Sequence, residues 1–307
     1  MSGMVGMVER MEDEVSPMTA LAVAIVAVST SAILIELSNA PSIVKALYRS
    51  LFTTLLLAPF AVTRYRDDLR AFSQRDLLIA VVNGCALAGH FIAWFESLDW
   101  TTVAASVTLV QSQPLFVAFG AWALLDERVT RKTMVGIFVA LLGMVAMSFG
   151  DFLSPATVAG QRPLYGNALA VVGAIAAAGY VLAGRSLRQR VSLIPYVTVV
   201  YGVSTVVLFG AALTSGAQVS LAAYRPTEWV LFLGMAVGPG IFGHTVINWA
   251  LKYVESSVVS VTLLGEPVGS TVLALVILGQ VPGVATMVGG AVVLGGIYVA
   301  STGRDSQ

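Results

Sequence analysis

Met134-Val-Gly-Ile-Phe-Val-Ala-Leu-Leu-Gly-Met-Val-Ala-Met-Ser148 lines up without a gap on Met287-Val-Gly-Gly-Ala-Val-Val-Leu-Gly-Gly-Ile-Tyr-Val-Ala-Ser301. The second half of the chain therefore repeats part of the first. Working outward, Gly89-His90 matches Gly243-His244, and Ser106-Val-Thr-Leu109 matches Ser260-Val-Thr-Leu263. The offset is 154 residues there and 153 from Pro114/Pro267 onward, so one residue was gained or lost between. Both copies are apolar enough to lie in a membrane. A duplicated membrane half lets two related units rock about a site between them, which is how many transporters are built.

The composition sets the solvent. The chain has 307 residues, of which 57% are hydrophobic and 11% charged. A soluble domain carries about 25% charged residues. So much apolar surface cannot be hidden from water, so the solvent is lipid. Net charge is zero, and no dense basic patch is present, which excludes a nucleic-acid partner. Cys85 stands alone and cannot form an intramolecular disulfide. The N-terminal tail (Glu9, Arg10, Glu12, Asp13, Glu14) is acidic and precedes a full-length span. A cleaved signal peptide starts basic and has a shorter apolar core, so the first span is expected to remain as an anchor.

A spanning helix needs about 20 mostly apolar residues. Ten such runs are expected, at 17–36, 43–63, 77–96, 102–125, 133–150, 166–184, 193–215, 228–250, 255–278 and 284–302. They lack the alternation of a membrane barrel, and lipid-exposed backbone must satisfy its own hydrogen bonds, so each is read as helix. The expected fold is an all-α membrane protein. Residues 1–16 form a tail, 17–150 a first five-helix repeat, 166–302 a second, and 303–307 a closing tail.

Lysine and arginine set the orientation. With the N-terminus inside, the inner segments hold thirteen: Arg10, Arg64, Arg66, Arg70, Arg75, Arg128, Arg131, Lys132, Arg185, Arg188, Arg190, Lys252 and Arg304. The outer loops hold two, Arg162 and Arg225. Both termini are therefore expected in the cytoplasm. Five spans per half is an odd number, so the second half enters the membrane upside down. That is an inverted-topology repeat with a two-fold pseudo-axis in the membrane plane.

Pro114 is followed by Glu127, Gly136 and Gly143, and Pro267 by Gln280, Gly289 and Gly296, at the same spacings of 13, 22 and 29. This pattern resembles the EamA-type family of the drug/metabolite transporter superfamily, over roughly residues 17–302. The resemblance implies a ten-span carrier of two five-span repeats; many bacterial members export amino acids or related metabolites. Overall, the chain looks most like the aromatic amino-acid exporters, and a bacterial inner-membrane location follows. Gln280 departs from the acid the family usually carries there, so Glu127 is read as a helix-end group.

A charge at the bilayer centre costs about 2.5–3.5 kcal/mol on insertion scales, so it usually faces a cavity or a partner. The intramembrane polar residues are Glu36, Lys45, Arg49, His90, Gln111, Gln113, His244, Asn248 and Glu266. Arg49 matches an arginine the family carries in its second span, and Lys45 lies one turn earlier. This positive face either meets a substrate carboxylate, or snorkels or pairs with Glu36. His90 shares a helical stripe with Asn83 and Trp94; its mate His244 has Asn248 one turn on. The histidines line a cavity, carry a coupling proton, or hold helices together. Glu266 meets a substrate amino group, caps freed backbone, or pairs with a neighbour.

Pro114 and Pro267 are expected to bend their helices and serve as hinges. Tyr48, Trp94, Tyr180, Tyr201 and Trp249 offer stacking faces, while Tyr65, Trp100, Trp122 and Trp229 read as interface anchors. The glycines at 136, 143, 289, 290, 295 and 296 suit close helix packing, within one molecule in preference to a dimer, so the chain is expected to be monomeric. Candidate substrate-binding residues are Tyr48, Arg49, His90, Trp94, Gln113, His244, Asn248 and Glu266.

No phosphate loop, metal cluster or nucleophile elbow is present in the sequence, so no cofactor is expected and ATP is not the direct energy source. The leading expectation is a secondary carrier that exports small amphipathic metabolites, most of all aromatic and other neutral amino acids. An exporter of drugs or nucleoside-type metabolites is the alternative on the same scaffold. A passive channel differs by flux that does not saturate. An intramembrane enzyme using His90 or His244 as base lacks the clustered groups such chemistry needs.

Overall fold

The computed structural model describes residues 16–101, 106, 109–152, 162–279, 281 and 283–302. The expectations for the two tails, for Gln280 and for Val107 and Thr108 fall outside these residues, as does the side chain of Glu36. Among the described residues the chain is helical and without strands. The helices of the first half are α1 (Pro17–Leu37), α2 (Ser42–Thr63), the short α3 (Arg66–Arg70), α4 (Gln74–Trp100), α5 (Gln113–Leu124) and α6 (Arg131–Phe152). Those of the second are α7 (Pro163–Arg188), α8 (Leu193–Thr214), α9 (Pro226–Met235), α10 (Val246–Ala250), α11 (Ser256–Thr262), α12 (Gly265–Leu278) and α13 (Val284–Ser301). A π-helical stretch, Ala236–Thr245, joins α9 to α10.

Against ten expected spans, seven helical stretches among the described residues are long and apolar enough to cross a membrane. Gln113–Leu124 and Val284–Ala300 are apolar but shorter, and α6 is a helix of 22 residues. Phe119, Trp122, Val230 and Val276 stand on the outer surface at 65% exposure or more. A folded chain leaves such side chains outside where its surroundings are hydrocarbon.

The packing obeys the repeat. Helices α6 and α13, the two copies of the quoted stretch, lie against each other along their length. They run antiparallel, since Gly136 meets Gly296 and Ala300, while Gly143 meets Gly289 and Val293. Helices α2 and α8 are antiparallel too. Thr54 meets Thr205 at 3.5 Å, and Tyr48 at the start of α2 donates to the carbonyl of Val219 beyond the end of α8. Equivalent helices that pack antiparallel require a two-fold axis across them. An axis along the membrane normal would leave them parallel. The second half is therefore inverted relative to the first. The same operation relates the α4–α7 contact to that of α1 with the α9–α10 span.

The prolines act differently from expectation. Neither bends a continuous helix. The fourth span is broken at Gln111-Ser112, and the ninth at Leu263-Leu264. Pro114 and Pro267 then lie in the first turns of α5 and α12. A first-turn proline gives up an N–H that has no helical partner anyway, so it starts the new segment at little cost. Both breaks tighten through short-range bonds, Ser112 N–H to Leu109 O at 3.1 Å and Glu266 N–H to Leu263 O at 3.0 Å.

The π-helical stretch has a local cause. Gly238-Pro239-Gly240 removes one donor and two side chains in mid-span. Carbonyls of the stretch also accept from threonine hydroxyls. Thr53 Oγ1 donates to Ala236 O at 3.3 Å, and Thr245 Oγ1 to Gly240 O at 3.1 Å. The stretch ends at His244-Thr245, so this wide turn sets where His244 stands.

Candidate functional site: a cavity between the halves

A cavity of about 340 Å³ lies between the halves. From the first half, α1 supplies Val28, Ser31 and Ile35, and α2 supplies Arg49. Helix α4 supplies Leu87, His90, Phe91, Trp94 and Phe95, a stripe recurring every three to four residues on one face. Gln111 comes from the break before α5 and Gln113 from the first residue of α5. The second half answers with Ala177, Tyr180 and Val181 of α7, His244, Ile247, and Glu266, Pro267 and Ser270 around the break before α12. The repeat mates His90/His244 and Gln113/Glu266 thus meet at one site.

Charge enters through two side chains. Arg49 donates to Ser31 Oγ at 3.2 Å and lies over the ring of Phe91, its guanidinium carbon 5.1 Å from the centroid. Its planar fork carries five donors, and Ser31 takes one. Glu266 forms no ion pair among the described residues. It sits in the first turn of α12, where free N–H groups favour an acid. Arginine and glutamate thus face one cavity without neutralising each other by contact.

The histidines differ. His90 Nδ1 donates to the carbonyl of Gly173 at 3.0 Å, and its ring stacks on Trp94 at 5.8 Å. His244 Nδ1 and Trp94 Nε1 are buried without a hydrogen-bond partner among the described residues. Unpaired buried polar atoms are costly and rare, and here both belong to side chains that line the cavity. The rest of the wall is apolar and aromatic, with Phe91 stacked on Phe95 at 5.9 Å.

Seven of the ten candidate site and hinge residues reach the lining: Arg49, His90, Trp94, Gln113, His244, Glu266 and Pro267. Tyr48 does not. Its hydroxyl donates to Val219 O at 2.6 Å, and its ring packs with Phe232, Trp229 and Phe52. Asn248 stands behind the wall. Its amide donates to Tyr180 OH and to His244 O, and its carbonyl accepts from Tyr196 OH. Tyr196 in turn accepts from Asn83, so a buried polar chain backs the cavity. Pro114 is buried within α5.

Lys45 and Arg49 separate. Lys45 donates to Ile35 O at 3.0 Å, covering the C-terminal end of α1. Ser31, Phe91 and Phe95 were missed in the sequence. Phe91 and Phe95 recur at four-residue spacing after Leu87, beside His90 and Trp94 on one face of α4.

At the arginine-rich end the halves are latched. Glu127 accepts from Arg185 Nε at 2.7 Å and from the N–H and hydroxyl of Ser256 at 3.0 and 2.8 Å. It therefore caps the start of α11, a helix of the other half, and not the end of its own span. Arg185 also donates to Leu251 O at 2.8 Å. Asp76 and Arg190 form a further ion pair across the halves at 3.1 Å.

An inverted helical pair enclosing a polar-spotted apolar cavity defines a class, the multi-pass membrane transporters. The sequence places the chain within it: the EamA-like transporter family matches twice, over residues 16–149 and 164–302, and the chain belongs to that family. It is similar to an uncharacterized transporter of Archaeoglobus fulgidus, 24% identical over 268 residues, covering 85% of this chain and 88% of that one. It is also similar to the uncharacterized inner membrane transporter YhbE of Escherichia coli, 25% identical over 245 residues, covering 78% and 74%. A solved crystal structure shares the fold at a TM-score of 0.78, with 21% identity, over 95% of this chain and 99% of that one.

Proposed function

We propose that the protein is a secondary carrier that exports small amphipathic metabolites, foremost aromatic and other neutral amino acids. The observation that carries this reading is the pairing of Arg49 and Glu266 around one apolar cavity. A zwitterion brings a carboxylate for Arg49 and an ammonium for Glu266, and its side chain rests on Phe91, Trp94 and Phe95. Gln113, His244 and the Trp94 indole supply the remaining polar contacts. A volume of about 340 Å³ is near the bottom of the usual range of about 300–1,000 Å³ for ligand pockets. That favours a single small metabolite over a large drug. One methylene in such a wall is worth about 1–3 kcal/mol, so specificity is broad.

In this reading the chain spans an inner membrane ten times, with both termini cytoplasmic. The repeats, 17–150 and 166–302, rock about the cavity, and the breaks just before Pro114 and Pro267 flex. The Glu127 latch lies on the cytoplasmic side and holds that side closed.

Counterflow in proteoliposomes tests it. Vesicles loaded with unlabelled tryptophan, phenylalanine or threonine should transiently accumulate the labelled amino acid above equilibrium. No accumulation by folded protein for any amino acid would sink the amino-acid reading and point to nucleosides or drugs. Flux without saturation or counterflow would mean a channel.

A further inference from the structure

A second cavity, of about 370 Å³, opens at the arginine-rich end, apart from the central one. It is lined by Tyr65, the segment from Arg188 to Ile194, Trp249 and Lys252. Three of these are cations, Arg188, Arg190 and Lys252, and no acidic side chain lines it. Three further observations give it a chemistry.

First, the 22-residue α8 begins in its wall with Leu193 and Ile194. The first amides of a helix have no helical acceptor and carry the positive end of the dipole. Ser192 is the N-cap residue, yet its side chain does not cap them. Its hydroxyl donates to Asp68 instead. Second, the indole N–H of Trp249 has no hydrogen-bond partner among the described residues, although Trp249 is only 5% exposed. A buried donor left unpaired beside a cavity marks a place for an acceptor. Third, Arg190 touches Asp76 at 3.1 Å and remains 43% exposed, so most of its donors stay available. Helix amides and a guanidinium are donors gathered in a space with surplus positive charge, and the unpaired indole N–H lies buried in its wall.

We propose that this cavity binds a phosphate group carrying net negative charge. Helix N-termini and arginine are the usual partners of phosphate oxygens. The group has two sources, the head group of an anionic phospholipid or free phosphate. Tyr65, partly exposed in the lining, suits a membrane interface, and basic pockets between membrane helices hold anionic head groups. The site is separate from the central cavity, so it does not depend on which metabolite the carrier moves.

The test uses the full chain in nanodiscs of phosphatidylcholine. One arm adds phosphatidylglycerol, and the other adds inorganic phosphate. Tm and retained lipid by native mass spectrometry are read for the wild type, for Lys252→Gln and for Arg190→Gln with Lys252→Gln. The expected result is a Tm rise in at least one arm, with affinity roughly tenfold weaker in the double variant. A rise with phosphatidylglycerol names the lipid as source, and a rise with phosphate alone names the soluble anion. Lys252→Gln alone serves if the double variant fails to fold. No rise in either arm, or an equal rise in the variants, would overturn the proposal.

Discussion

Gly136 and Gly296 meet backbone to backbone where α6 crosses α13. A Cβ built on Gly296 would stand 2.7 Å from the carbonyl oxygen of Gly136 and 2.5 Å from the amide nitrogen of Ala140. The repeat maps Gly296 onto Gly143, Gly136 onto Gly289 and Ala140 onto Val293. A Cβ on Gly143 would stand 2.7 Å from Gly289 O and 2.6 Å from Val293 N. The two contacts are images of each other, so the axis relating the halves passes between these helices.

The obstruction in both contacts is backbone, which cannot swing aside as a side chain can. Gly296→Ala should therefore push the helices apart and cost about 1–3 kcal/mol, the usual range for overpacking. Gly295→Ala is the control, since nothing lies within 4 Å of its added methyl. It should be neutral or raise stability by up to about 1 kcal/mol through helix propensity. Thermal unfolding in one detergent compares them. Equal effects would remove the close crossing as the reason for the glycine.

Arg49 and Glu266 should contribute differently from the aromatic wall. Arg49→Lys keeps the charge but loses the planar fork that matches a carboxylate, so affinity should fall about tenfold or more. Glu266→Gln should weaken substrates bearing an ammonium group and spare analogues that lack it. Counterflow with an amino acid and its deaminated analogue separates the two roles. If Glu266→Gln weakens both substrates equally, the ammonium assignment is lost.

Tyr48→Phe should leave transport unchanged. The hydroxyl is spent on Val219 O and the ring on a cluster away from the cavity. Its loss should cost about 0.5–1.5 kcal/mol of stability, the worth of an ordinary hydrogen bond. Tyr180 has the opposite position, on the cavity wall. Its change to phenylalanine strips a partner from Asn248 and should alter substrate affinity as well.

These cases show what the sequence could carry. The repeat was visible because identical glycines are forced wherever two helices cross backbone to backbone. Arg49, His90, His244 and Glu266 were visible because charge inside an apolar run is expensive. Tyr48 was misplaced because an aromatic one residue from Arg49 points about 100° around the helix, to a different neighbour. Asn248 and Trp94 are repeat mates, yet only Trp94 reaches the cavity; Asn248 is held behind the wall by Tyr180, Tyr196 and the carbonyl of His244. The breaks at Gln111 and Leu263 were hidden because a proline reads alike in a kink and in a first turn. Arg185 and Ser256 became partners of Glu127 only through the packing of distant segments.

The Glu127 latch makes the last prediction. Glu127 belongs to the first half, Arg185 and Ser256 to the second, and the carboxylate holds both. Side-chain exposure is 20% for Arg185 and 8% for Glu127, so water competes only weakly for this pair. In the proposed carrier, a group that ties the two halves at one end stabilises the state closed at that end. Glu127→Gln should lower that stabilisation by about 1.5–3 kcal/mol, the worth of a hydrogen bond to a charged group. Since about 1.4 kcal/mol is a tenfold population change, access from the latched end should rise by roughly ten to a hundred times. Ser270→Cys, on the cavity wall, reports this in a Cys85→Ser background, because Cys85 is exposed. An impermeant thiol reagent should label it faster from the latched side in Glu127→Gln and more slowly from the other. Adding Arg185→Gln should change little further, since one interaction cannot be lost twice. Labelling rates unchanged from both sides would leave Glu127 as a cap on α11 alone.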